Sequence, residues 1–477
     1  MKTRKYKFIG IALFMLCQHI GCKDFVDLKS PTVVNRDEFF KRQSDFTAAV
    51  NGLYSNLRSY YNGFYVVGEI PSDNTEANGY TLGFADMDQQ TWLSNNSSIQ
   101  GSWLSAYSAI ARANIILGRI DGVTMDAALK EQYKAEAKFV RALMYFNLTQ
   151  FFGDVPLVLQ EVKTEAEAYT YLRETSDKIY AQIETDLLDA IAGLPATYTG
   201  ADIGRAAKGA AQGLLGKVYV THKKFDKAIP VLEDVIGSGN YKLEDSYEGL
   251  FKVENRNNKE MLFSVQYLGN GNGEGSNFCI TFAPFGSGTE ITTGGNPAGA
   301  NQGTLDLFNA FEAGDLRKSV AIAEYPLTKA LYTRKFMDRP IAANEGNNNW
   351  PVLRYADVLL LYAEALNENG ATDDAFGPLN EVRERADLGD LSGLDKIALR
   401  AAIQQERRVE LCFEGHRWFD LLRTGNMVSV MTAYKEKYKG IAYLVEYYDV
   451  NANKALFPVP FRERNLNPNL TQNPGYN

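Results

Sequence analysis

Glu406, Glu410 and Glu414 are the first residues in the chain whose spacing could do chemistry. Four-residue steps put all three carboxylates on one helical face, and neighbouring carboxylates can divide acid and base roles. Arg407, Arg408, Arg417 and Arg423 stand nearby to neutralise them, and ion-paired helices usually support structure rather than catalysis, so the run is read as scaffold. After residue 22 the only histidines are His222 and His416, which removes most His-based metal sites and most Ser/His or Cys/His nucleophilic arrangements. The run from Gly269 to Gly275 alternates glycine in the manner of a phosphate cradle, but it lacks a Lys-Ser/Thr ending and a following helix signal. No catalytic residue, metal or cofactor is expected.

The tryptophans point instead to binding. Trp103 opens a helical stripe with Tyr107 and Ile110, and Trp418 sits in an amphipathic helix, so both are expected in the core. Trp92 and Trp350 are flanked by Asp86, Asp88, Asn95 and Asn96 and by Asn347, Asn348 and Asn349 respectively. A flat apolar face beside amide and carboxylate groups suits a sugar ring, with its C–H faces and hydroxyl edges. The candidate ligand-binding set is therefore Asp73, Asn74, Tyr80, Trp92, Asn95, Tyr267, Phe285 and Trp350.

The elements that must carry these residues are mostly α. Within 212–236, Gly216, Tyr219, Ala228, Leu232 and Val235 fall at the spacing of a tetratricopeptide repeat, and Ala363, Ala375, Leu379 and Val382 repeat the pattern. A third first-helix match runs through Ala135, Ala142 and Tyr145, stops at Gly153-Asp154-Val155-Pro156, and has its partner helix delayed to about 176–192. Between the helices lie Asn-, Gly- and Ser-rich segments at 71–98, 269–277 and 286–303, too long for plain connectors and expected to form the working surface. The expected division is a signal peptide at 1–21, a lipidated tether at 22–40, a helical N-terminal part at 41–255, and a C-terminal part at 256–477 that carries ligand-binding loops and a further helix pair.

Lys2, Arg4, Lys5 and Lys7 precede an apolar run from Phe8 to Cys17, the layout of a secretory signal and too short to span a bilayer. Gly21-Cys22 places a small residue before a cysteine just after that run, so Cys22 is the candidate lipidation site. Removing 1–21 moves the formal charge from −8 to −12, which argues against nucleic acid as a partner. Cys279 and Cys412 then stand without a disulfide framework or metal spacing and are expected to be buried apolar residues.

Several strings resemble the SusD/RagB family of outer-membrane nutrient-binding lipoproteins of the Bacteroidetes. These are Cys22-Lys-Asp24-Phe25-Val26-Asp27 with Pro31; Arg141-Ala142-Leu143 through Phe152-Gly153-Asp154-Val155-Pro156-Leu157; and Arg354-Tyr355-Ala356-Asp357 to Ala363-Glu364-Ala365. Two more are Glu406-Arg407-Arg408 through Arg417, Asp420-Leu421 and Arg423, and the ending Phe457-Pro458-Val459-Pro460 to Asn473-Pro474-Gly475-Tyr476. The resemblance implies four tetratricopeptide-like helix pairs supporting a loop-rich, irregular ligand-binding half. It implies a lipid-anchored, surface-exposed protein of the outer membrane that binds without catalysis and caps a SusC-like TonB-dependent transporter. Its expected function is capture of an oligosaccharide for that transporter. The alternatives are peptide capture of the RagB type, a tetratricopeptide adaptor that binds only protein, and a glycosidase working with carboxylates alone.

Overall fold

A computed structural model of the chain describes residues 39–77, 84–293, 295–440 and 447–476. The signal segment, Cys22, the tether as far as residue 38, and Tyr80 lie outside the described residues. Numbering the helices of seven residues or more, α1 is Gln43–Tyr61, α2 Ser97–Arg119, α3 Ala127–Phe152 and α4 Ser176–Gly193. They are followed by α5 Lys208–Thr221, α6 Phe225–Gly237, α7 Tyr355–Glu368, α8 Phe376–Arg385, α9 Lys396–Glu410, α10 Arg417–Arg423 and α11 Met427–Tyr438.

Local sequence sets the boundaries. Asn96 and Asp126 cap α2 and α3 by accepting from Ile99 N–H (2.9 Å) and Leu129 N–H (2.8 Å), which satisfies donors the first turn leaves unpaired. Helix α3 stops where Gly153 takes φ +68°, a left-handed conformation that glycine adopts without a side-chain clash. The helices then pack as pairs, α1 on α2, α3 on α4, α5 on α6 and α7 on α8, with α9 also against α7. At the α5–α6 contact a Cβ on Gly216 would lie 2.2 Å from the Leu232 side chain, so any larger residue there would have to displace Leu232. The repeat spacing and the delayed partner helix are thus both present, and the fold is the expected mostly α scaffold.

Short antiparallel pairs supply the rest: β1 Thr75–Glu76 with β5 Gln302–Gly303, β2 Val155–Pro156 with β3 Arg173–Glu174, β4 Met261–Val265 with β8 Trp350–Arg354, and β6 Ala323–Glu324 with β7 Leu331–Tyr332. Among the described residues no helix is long and apolar enough to cross a membrane.

Candidate ligand-binding surface

The glutamate face is scaffold, but with different partners from the expected ones. Glu406 is held by Arg317 and by Arg383 (3.2 Å). Glu410 is held by Arg317 (3.1 Å), Arg354 (3.0 Å) and Arg385 (2.6 Å), and Glu414 by Arg354 (2.7 Å) and Lys335 (2.7 Å). All of these side chains are buried. The expected neutralisers serve other acids: Arg407 pairs with Asp357 and Asp420, Arg408 with Asp73 and Asp306, Arg417 with Asp73, and Arg423 with Glu364 and Asp420. Helix α9 ends at Glu410, so Glu414 stands in the turn after it rather than on the expected single helical face, and the partners of all three acids come from elements that sequence proximity cannot show.

Trp92 and Trp350 must also be corrected. Both are fully buried, as are Trp103 and Trp418, so no ring face is left for a sugar. Trp350, the first residue of β8, stacks on Phe336 at 5.3 Å and touches Phe278 at 5.2 Å. Two of its three amide neighbours are spent on the chain itself, Asn347 Oδ1 accepting from Gly269 N–H and Asn349 Oδ1 from Tyr267 N–H, both at 3.0 Å, and Asn348 is buried. Trp92 donates Nε1–H to Tyr476 Oη (2.7 Å) and meets Phe457 edge-on at 5.0 Å. Most of its polar flank is engaged within the chain, with Asn96 capping α2 and donating to Asp86, and Asp88 accepting from Ala77 N–H.

Asp73, Asn74 and Tyr267 are buried positioning residues rather than exposed hydroxyl readers. Arg417 grips both Asp73 oxygens (2.8 and 2.9 Å), and the Arg408 and Arg417 cations hold this carboxyl below the usual carboxylate range despite its burial. Asn74 Oδ1 accepts from Arg408 Nε (2.9 Å), and Tyr267 donates its hydroxyl to Arg58 O (2.9 Å). Asn95 is exposed, on a segment joined to the C-terminal region where Phe461 N–H donates to Ser94 O. The glycine run wraps a half-exposed acid: Glu345 accepts from Gly273 N–H (3.2 Å), and a Cβ on Gly269 would strike the Glu345 carbonyl.

Of the expected set, Phe285 keeps an accessible ring, 38% exposed. It follows Phe282 by three residues, and Phe282 stands where several loop segments converge. Thr75 pairs with Gly303 and Glu76 with Gln302, so the chain leaving β1 and the chain arriving at β5 run from the same end of the ladder. Tyr65 is flanked edge-on by Phe84 (6.1 Å) and Phe282 (4.9 Å), joining the far ends of both loops. A third segment enters through Asp88, whose carboxylate accepts from Ala77 N–H (3.0 Å) and from the Tyr448 hydroxyl, while Asp449 N–H donates to Gln89 O (2.8 Å). Next to Tyr448, Tyr447 is 59% exposed. Burial pushes the Glu76 carboxyl up to about 7 and raises that of Asp88 as well; Asp88 is fully buried and ties the segments together, which leaves the half-buried Glu76 as the carboxyl beside these tyrosines and phenylalanines. Sequence reading missed Glu76 and Tyr447, and placed Asp88 only in the flank of Trp92. The aromatic-rich string Tyr443-Leu-Val-Glu-Tyr447-Tyr448 was the available signal.

Comparisons with known proteins agree with this architecture. A profile of the SusD family matches residues 323–476, and one described as starch-binding associating with outer membrane matches residues 24–220. SusD-like protein P25 of Formosa agariphila is 27% identical over 540 residues, covering 99% of each chain. The starch-binding protein SusD of Bacteroides thetaiotaomicron is 26% identical over 482 residues, 82% of this chain and 81% of its own. A laminarin-binding SusD-like protein of known structure superposes with a TM-score of 0.79 at 28% identity, covering 91% of this chain and all of that one.

Proposed function

The chain belongs to the SusD family, and on that premise we propose that it captures oligosaccharides at the cell surface and passes them to a SusC-like TonB-dependent transporter. The observation that carries this reading is the convergence of segments tied together through Tyr65, Phe282, Asp88 and Tyr448, with half-buried Glu76 on β1 and the exposed Phe285 and Tyr447 close by along the chain. An exposed aromatic ring gives a sugar a stacking face at little entropic cost, because it orders only two side-chain torsions. Carboxyl and phenol groups at the rim match hydroxyl edges, and a helical frame keeps them in register. The starch- and laminarin-binding relatives support the ligand class without naming this chain's glycan. No step of the reading breaks a bond: it is binding, then release into the partner barrel.

A lipid on Cys22 would keep the capture surface at the membrane, where several acyl chains hold firmly and one alone binds only marginally. Affinity electrophoresis of the protein through gels containing soluble glycans, with starch and laminarin among them, tests the ligand class. Retardation by at least one glycan and not by a peptide mixture is expected. Retardation by peptides alone would transfer the site to peptide capture.

A further inference from the structure

Between the connector that joins α4 to α5 and the strand β4 lies a pocket of roughly 280 Å³ that shares no residue with the capture surface. Asn240, Tyr241, Asn257, Lys259 and Met261 stand among its walls. Close approaches fix its shape. Gly204 turns the connector at φ +100°, and a Cβ there would lie 2.6 Å from the Gln266 side chain. Gln266 exchanges two hydrogen bonds with the Asn257 amide, each 2.8 Å, and so holds Asn257 at φ +62°, a left-handed conformation that a residue with a side chain adopts at a cost. Tyr241 lies so near the first turn of α5 that a Cβ on Gly209 would stand 2.3 Å from its ring.

The walls are thus formed in advance, yet several of their polar groups are unused. Among the described residues the Tyr241 hydroxyl, the Asn240 side-chain amide and the Lys259 ammonium have no hydrogen-bond or ion-pair partner. Burial lifts the Tyr241 phenol to about 12, so it remains a donor through the neutral range. Charge then selects the ligand. The chain is acidic overall, at −8, but the described residues lining this pocket include no Asp or Glu and two cations, Arg205 and Lys259. Arg205 is taken by Glu136 (2.9 Å) and Asp202 (2.7 Å), which leaves the Lys259 charge for a ligand. We propose that this pocket is a second ligand site that takes one acidic sugar residue, its carboxylate against Lys259 and its hydroxyls against Tyr241 and Asn240. An ammonium attracts a carboxylate as a point charge, and phenol and amide groups exchange hydrogen bonds with hydroxyls in either sense. The sugar class rests on the capture reading, whereas the negative charge rests on this pocket alone.

Met261 lies in the wall, so its isotope-labelled methyl group reports occupancy by NMR, with Met261→Leu giving the assignment. Titration with sodium glucuronate is expected to shift that resonance, with an affinity roughly ten-fold above those of glucose and sodium acetate. Lys259→Met and Tyr241→Phe should each weaken glucuronate by roughly five-fold or more while keeping the melting temperature. Glucose or acetate binding as tightly as glucuronate would overturn the proposal, as would an unmoved Met261 methyl or unchanged affinity in both variants. Retardation by neutral starch or laminarin is read separately and does not involve Lys259, so failure here leaves the capture reading standing.

Discussion

His416 Nδ1 lies 2.9 Å from Lys217 Nζ in a buried shell that also contains Asp357, Glu414 and Arg407. Desolvation and the Lys217 cation outweigh the two acids and push the imidazole down to about 3. An unfolded histidine takes up its proton near 6.5, whereas this one resists until about 3. The contribution to stability is therefore complete above about pH 6.5 and is lost as the pH falls towards 3. Urea midpoints measured at pH 7, 5.5 and 4.5 should fall more steeply for the native protein than for His416→Gln, and equal slopes would remove His416 as the cause. The tryptophans give a second prediction at this scale. Trp92→Ala and Trp350→Ala should each destabilise the fold by ~3–5 kcal/mol, as Trp103→Ala and Trp418→Ala should. Denaturant melts check this, and a native-like melt for either of the first pair would contradict its burial. The core roles of Trp103 and Trp418 were legible because a helical stripe reports burial directly. Trp92 and Trp350 were misread because a polar flank looks the same whether its amides face a ligand or hold neighbouring loops.

Among the elements, β8 does work that helical periodicity cannot reveal. It is five residues long and pairs with β4 across a wide stretch of sequence, yet it delivers Arg354 to Glu260, Glu410 and Glu414. Removing one partner leaves buried charge uncompensated, so Arg354→Ala should cost ~3–5 kcal/mol. A change under about 1 kcal/mol in denaturant titration would mean that the network relaxes or hydrates. The long helices were legible, since their small and apolar residues recur at fixed offsets and Gly153 marks a stop. Burial of Cys279 and Cys412 as free thiols followed from the same reading. The arginines facing the glutamates were not legible, because Arg317, Arg354, Arg383 and Arg385 come from elements that only tertiary packing brings to α9.

At the scale of the whole molecule, the helix pairs form a frame and the loop ends form a surface, which matches the division of labour expected of a capture protein. Its attachment is tested separately from its binding: Cys22→Ala should fold but leave the membrane fraction on fractionation, and retention there would defeat lipidation at that residue. Among the described residues of the expected set, Phe285 alone supplies an accessible ring. Tyr447 and the Glu76–Asp88 end were hidden because segments far apart in sequence meet there. The central claim is tested most directly by calorimetric titration of a retained glycan into the native protein, Phe285→Ala and Tyr447→Ala. The account predicts that each variant keeps its melting temperature and that Phe285→Ala loses ~1–3 kcal/mol of binding, ten-fold or more in affinity. Unchanged glycan affinity in both variants would contradict it.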